Sequence, residues 1–139
     1  ERLLVVRGEQ PAYFAVGGLF ALIALAFMLP ALAAPAQPFD ETAFRKAQQE
    51  GRTVLVEVHA DWCSACTKQK PILESLGKDK AFEKVVRFSV DFDKPGNALK
   101  LFRVASQATL LVFRGEQEIA RSTFDTNPDS IRAMLAKGI

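Results

Sequence analysis

The chain has 139 residues, a formal net charge of +2, 49% hydrophobic residues, two cysteines and one histidine. That length suits one ordinary domain, and evenly mixed charge without a basic cluster argues against a nucleic-acid surface. Structural zinc takes four nitrogen or sulfur ligands, so this chain could hold it only by sharing the ion with another chain.

The apolar excess is local. Ala12 to Ala36 carry no charge, Arg2 and Arg7 precede them, and charges are spread evenly from Asp40 onward. Tyr13 to Leu29 form an apolar run closed by Pro30, and Ala31-Leu32-Ala33 offers the small-x-small pattern of a signal-peptidase site. The run is also about as long as the roughly 17 to 25 residues that span a bilayer. Residues 1–36 are therefore expected to be a signal peptide or a membrane anchor. Either way the basic flank stays inside and the domain at 37–139 is exported to a periplasmic or other extracytoplasmic space.

Pro35-Ala36-Gln37-Pro38 reads as a linker. Asp40 is an N-cap candidate, with Phe39 and Phe44 spaced as a hydrophobic staple and Gly51 placed as the helix stop. Thr53 to His59 is a β-branched run, apolar almost throughout, and suits a central strand covered on both faces. A helix is expected from Cys63 through Leu76 to Gly77, with Pro71 inside it, and a further short helical turn within Lys78 to Lys84. Val85 to Asp91 is the next strand; strand, helix and strand in that order imply a parallel, right-handed pair. Pro95-Gly96-Asn97 precedes a helix over Ala98 to Phe102. Thr109 to Phe113 and Glu118 to Thr123 form a hairpin around Gly115, and Asn127-Pro128 caps a last helix that ends near Gly138. Phe82, Phe88, Phe92, Phe102 and Phe113 fall at core spacing.

Both cysteines lie in Trp62-Cys63-Ser64-Ala65-Cys66, directly after the first strand. A strand followed at once by C-x-x-C is the signature of a redox site. Cys63 would sit at the helix N-terminus, where unpaired N–H groups and the helix dipole favour a thiolate, and Cys66 lies within disulfide reach on the same face. As a purely structural staple the pair would close too small a loop to remove much unfolded-state entropy.

The element order, with C-x-x-C between the first strand and its helix, resembles the thioredoxin fold. Val54-Leu55-Val56-Glu57-Val58-His59-Ala60-Asp61-Trp62-Cys63 looks like the thioredoxin active-site strand, and Thr109-Leu110-Leu111-Val112-Phe113 followed by Gly115 matches the family hairpin. Ala60-Asp61-Trp62-Cys63-x-Ala65-Cys66 is also similar to the periplasmic domain of transmembrane thiol:disulfide interchange proteins. The resemblance covers about Phe39 to Ile139. It implies an α/β, thioredoxin-like fold: a central mixed sheet of four strands, or five, flanked by helices and preceded by the N-terminal hydrophobic helix. It also implies a protein disulfide oxidoreductase that needs no dissociable cofactor, acts as a monomer on protein disulfides and is recharged by a membrane thiol:disulfide interchange partner. An exposed Cys63 would attack, and a more buried Cys66 would resolve. Glu57 stands where the family keeps a buried Asp that takes the proton of the second Cys. Trp62, Ser64, Gln107, Ala108 and Thr109 would frame the substrate, with Ser64 bonding the thiolate and Trp62 a surface flap. His59, which faces the same side as Glu57, is a possible modulator.

One departure bears on docking: Ala108 takes the place of the family's cis-proline. A non-proline cis bond costs about 2.5–4 kcal/mol, so either that loop is strained or the Gln107–Ala108 peptide is trans. The competing reading is a non-enzymatic copper or zinc carrier, or a redox-inert adaptor, on the same fold.

Overall fold

The computed structural model describes residues 35–139. The leader or anchor expected at 1–36 lies almost wholly outside the described residues, among which no helix is long and apolar enough to cross a membrane.

Ten elements follow in chain order: β1 (Gln37–Pro38), α1 (Glu41–Gln49), β2 (Thr53–His59), α2 (Ser64–Gly77), a 3-10 turn (Lys80–Phe82), β3 (Val86–Asp91), α3 (Ala98–Phe102), β4 (Thr109–Arg114), β5 (Gln117–Thr123) and α4 (Pro128–Ala136). The sheet order is β1-β3-β2-β4-β5. β1, β3 and β2 run parallel, while β4 and β5 are antiparallel to their neighbours. The sheet thus has five strands, and the segment expected to be a linker supplies the fifth. Gln37 and Pro38 pair with Phe88 and Ser89, and an edge strand is where a proline, lacking an N–H, does least harm.

The predicted punctuation appears as chemistry. The Asp40 carboxylate accepts from the Ala43 N–H at 2.7 Å, and the Phe39 and Phe44 rings meet at 5.7 Å. Gly51, at a φ of 69°, ends α1 with its N–H donating to the Gln48 carbonyl. Asn127 caps α4 through Asp129 and Ser130. Helix α2 runs through Pro71 as one element. The helix ends at Gly77, as expected, and this glycine lies outside the left-handed region.

Strand alternation sorts the two faces. Val54, Val56 and Val58 join Phe88, Val90, Leu111 and Phe113 against α1 and α3. Leu55, Leu110 and Val112 join Leu73, Leu76, Ile131, Met134 and Leu135 from α2 and α4. By the period of two, Glu57 and His59 on β2 and Arg87 and Ser89 on β3 belong to the α2 face.

Phe44, 2% exposed, touches the rings of Phe88, Phe102 and Phe113 at 6.1, 5.1 and 5.3 Å. Truncation to alanine there is expected to cost about 3–5 kcal/mol, the usual range for a buried phenylalanine. Urea denaturation with the disulfide intact checks this; a loss below about 1 kcal/mol would show that the first face does not carry the core.

Candidate active site

β2 ends at His59, and the short loop through Trp62 delivers Cys63 to the start of α2. Cys63 donates its N–H to the Ala60 carbonyl at 3.1 Å. It is the N-cap residue of α2, with an extended backbone at φ −88° and ψ 114°. Its sulfur accepts the Cys66 N–H at 3.1 Å, taking the place a serine or aspartate oxygen fills at most helix starts. Cys63 and Cys66 form a disulfide with Cα atoms 5.2 Å apart. In this oxidised form Cys63 is 3% exposed and Cys66 8%, so the expected contrast between an open and a covered cysteine is absent. What separates the two is the helix terminus: Cys63 alone has its sulfur on an unpaired helix N–H.

Ala60, Cys63, Cys66 and Ala108 form one apolar cluster, with Ala65 and Phe92 against it. Ala108 is 0% exposed. The Gln107–Ala108 peptide is trans, and Ala108 instead adopts a left-handed φ of 55°. Of the two outcomes left by the missing proline the chain takes the trans bond, and pays with a conformation that costs an alanine about 1–2 kcal/mol. The loop is held from three sides. Gln69, buried on α2, donates its amide nitrogen to the Ala108 carbonyl at 3.2 Å and to the Asp125 carbonyl at 2.8 Å. The Phe124 N–H donates to the Ala108 carbonyl at 2.9 Å. The Thr109 hydroxyl donates to the Ser106 carbonyl at 2.8 Å, so the buried Thr109 shapes the loop, while Gln107 is half-buried. Trp62 is 62% exposed, with its ring edge-on to Phe92 at 6.4 Å and its indole N–H donating to Asp93 at 2.9 Å. Ser64 is exposed on the first turn of α2, and the donor on the Cys63 sulfur is the Cys66 N–H rather than its hydroxyl.

Beneath the dithiol lies a cavity of about 740 Å³ whose walls include Cys66, Glu57, His59, Arg87, Glu74 and Lys70. Cys66 and Glu57 therefore line one space. Arg87 holds Glu57 with Nε 2.8 Å and Nη2 2.6 Å from Oε1. Burial pushes the Glu57 carboxyl above its ordinary range; the Arg87 charge and hydrogen bond pull it part of the way back, His59 acts in the same direction, and Glu74 opposes them. Among the described residues no group of three or more His, Cys, Asp or Glu side chains is placed to hold a metal ion.

Three residues of the site escape a reading of the sequence alone. Arg87 could have been found by strand parity, since it shares a face with Glu57 on the neighbouring strand. Gln69 lies one helical turn beyond Cys66, which puts it on the same face. Phe124, 52% exposed at a φ of 59°, gives no signal, because a phenylalanine has no preference for left-handed backbone.

The family model described as Thioredoxin matches residues 36–137. The thioredoxin of Chlamydia muridarum is 30% identical over 84 residues, which are 60% of this chain and 80% of that protein. Thioredoxin-1 of Saccharomyces cerevisiae is 26% identical over 93 residues, 67% of this chain and 87% of that one. Among solved structures, Trxlp from Edwardsiella tarda EIB202 superposes with a TM-score of 0.70 at 39% identity, covering 73% of this chain and 98% of its own.

Gln69→Ala is expected to leave the Ala108 and Asp125 carbonyls short of a buried donor, at about 1–3 kcal/mol, and to raise KM for a protein disulfide more than it lowers kcat. Denaturation and steady-state kinetics read the two effects. An unchanged KM would show that the latch serves stability alone.

Proposed function

This chain belongs to the thioredoxin family, and from that premise we propose an exported thiol:disulfide oxidoreductase that reduces the disulfides of extracytoplasmic proteins. The observation that carries the reading is the Cys63–Cys66 disulfide at the head of α2, with the Cys66 N–H on the Cys63 sulfur.

In the reduced protein Cys63 attacks as the thiolate, stabilised by that N–H and by the helix terminus. One substrate sulfur leaves, and the other stays bonded to Cys63. Cys66 then gives its proton to Glu57 and attacks the Cys63 sulfur. The protein's S–S bond forms, the bond to substrate breaks, and the substrate departs as a dithiol. Two electrons have passed from the Cys63/Cys66 pair to the substrate, and the pair needs no dissociable cofactor because the S–S bond itself carries them. In this reading Trp62, Ser64, Gln107 and Ala108 frame the substrate, with Thr109 behind them; Ala108 packs in one cluster with Cys63 and Cys66, and Trp62 and Ser64 are exposed.

Export rests on the uncharged stretch from Ala12 to Ala36 behind Arg2 and Arg7, cleaved or kept as an anchor. Outside the cytosol thiols are not held reduced by the soluble pools, so electrons are supplied by a membrane thiol:disulfide interchange protein. The domain works as a monomer. The reducing direction follows from the dipeptide between the cysteines: Ser64-Ala65 adds no positive charge to stabilise the Cys63 thiolate, and it is a strongly stabilised reduced form that makes an oxidant.

The purified domain is expected to reduce insulin disulfides with dithiothreitol as donor, to lose turnover in Cys63→Ser, and to equilibrate with glutathione at a potential below about −200 mV. Turnover that survives Cys63→Ser would refute the exchange mechanism. A domain left fully reduced by a mildly oxidising glutathione buffer would refute the direction.

A further inference from the structure

Gly77 is buried in the last turn of α2. Its backbone does not call for glycine: the positive-φ glycines are Gly51, Gly96 and Gly115, and within a helix alanine is the better former. What Gly77 supplies is space. A Cβ there would come 2.5 Å from Arg87 Nη1 and 3.6 Å from its Cζ, and real side chains do not approach so closely.

The atom that would be struck belongs to a group already committed. Arg87 reaches from β3 beneath the end of α2, and its Nε and Nη2 both converge on Glu57 Oε1, at 2.8 and 2.6 Å. The guanidinium is planar and rigid. Nη1 is the far end of a flexible side chain and can move aside, but the planar fork carries Nε and Nη2 with it, so the pairing with the carboxylate shifts as the clash is relieved. With both nitrogens on one oxygen, Oε2 accepts no hydrogen bond from the described residues and is left to receive a proton.

We propose that Gly77 is a positioning residue for proton transfer at the dithiol: its missing Cβ leaves the slot in which the Arg87 guanidinium lies against Glu57, keeping the carboxylate paired on one oxygen and open on the other. The inference deepens the reading of Glu57 as the acceptor of the Cys66 proton and rests on it. In the resolving step Cys66 loses its proton to Oε2 as its sulfur bonds to Cys63, and the proton then leaves through the cavity. The charged and titratable groups that line the cavity with Glu57 are Arg87 on β3, His59 on its own strand, Asp61 in the loop that follows it, Lys70, Glu74 and Cys66 on α2, and Lys78 just past the end of that helix. Of these only Arg87 bonds the carboxylate. The sign of its displacement follows: burial already raises the affinity of Glu57 for a proton and Arg87 opposes it. Loosening Arg87 raises that affinity further, so the carboxylate form needed for resolution is lost at a higher pH.

The test uses the full chain with Gly77→Ala, Arg87→Lys and the two combined, reading the Glu57 titration by carboxyl NMR and the decay of a mixed disulfide against pH. Gly77→Ala is expected to move the Glu57 midpoint and the acid limb of resolution up by about one pH unit, slowing resolution about tenfold on the acid side, with Tm no lower than wild type. In the Arg87→Lys background, where a compact ammonium on a flexible stem clears the added methyl, Gly77→Ala is expected to move the midpoint no further. A midpoint that stays put in Gly77→Ala, or that shifts equally in both backgrounds, overturns the proposal. Glu57→Gln separates it from the reading beneath it. If that variant keeps the wild-type acid limb, Glu57 is not the proton acceptor, while the NMR midpoint still judges the Gly77 slot.

Discussion

The hydrogen bond from the Cys66 N–H to the Cys63 sulfur is the contact on which the rest of this structure depends. A helix leaves its first N–H groups without intrahelical partners, and here the acceptor is a sulfur that can carry a negative charge. The bond converts an ordinary helix start into a place where a thiolate is favoured over a thiol. It requires that α2 begin at one residue and no other, and much of the fold serves that end. β2 lies between parallel and antiparallel partners and is buried on both faces, so its end is fixed in space. The Ala60 carbonyl holds the Cys63 N–H. Leu73 and Leu76 seat α2 against Leu55 and Leu110, leaving the helix little freedom to slide.

Around that point the molecule separates two environments. On one side Ala108 packs with the two cysteines, in a left-handed conformation it would not choose alone. Strain of this kind persists only where surrounding structure enforces it, and Gln69, Phe124 and Thr109 do so through hydrogen bonds that converge on the loop. On the other side Glu57 and Arg87 form an ion pair whose side chains are 13% and 9% exposed. Burying two charges seldom stabilises a fold relative to well-packed apolar side chains. In the proposed mechanism its position in the cavity wall with Cys66 gives the pair a chemical reason to be there. Gly77 belongs to the same arrangement, since it admits the guanidinium.

Much of this was legible from residues alone, for reasons that are local. Asp40, Gly51, Asn127 and Pro128 act on their own backbone neighbours, so their roles follow from type and position. The run from Val54 to Val58 is apolar except at Glu57, with apolar residues on both parities, which already says that the strand is central. C-x-x-C after such a strand locates the chemistry. What stayed hidden depends on distant partners. β1 is two residues long and contains a proline, too short for any period to register, and exists only because β3 offers it an edge. The left-handed Ala108 has no signature in its side chain; its conformation is imposed by Gln69 and Phe124, which lie 39 residues before it and at the end of β5. Cys63 is more covered than a helix start suggests, because Ala108, distant in sequence, joins Ala60 and Cys66 in packing with it. Gly77 reads from the sequence only as the end of a helix, and the path of Arg87 reveals what it leaves room for.

The central claim is that Cys63 forms, and Cys66 resolves, a mixed disulfide with another protein. Expressing the full chain as Cys66→Ser and recovering it under acid quench tests this most directly. The account predicts protein adducts joined through Cys63, released by dithiothreitol and absent when Cys63→Ser is added. Recovery of no disulfide-linked protein, or of adducts that persist without Cys63, would contradict it.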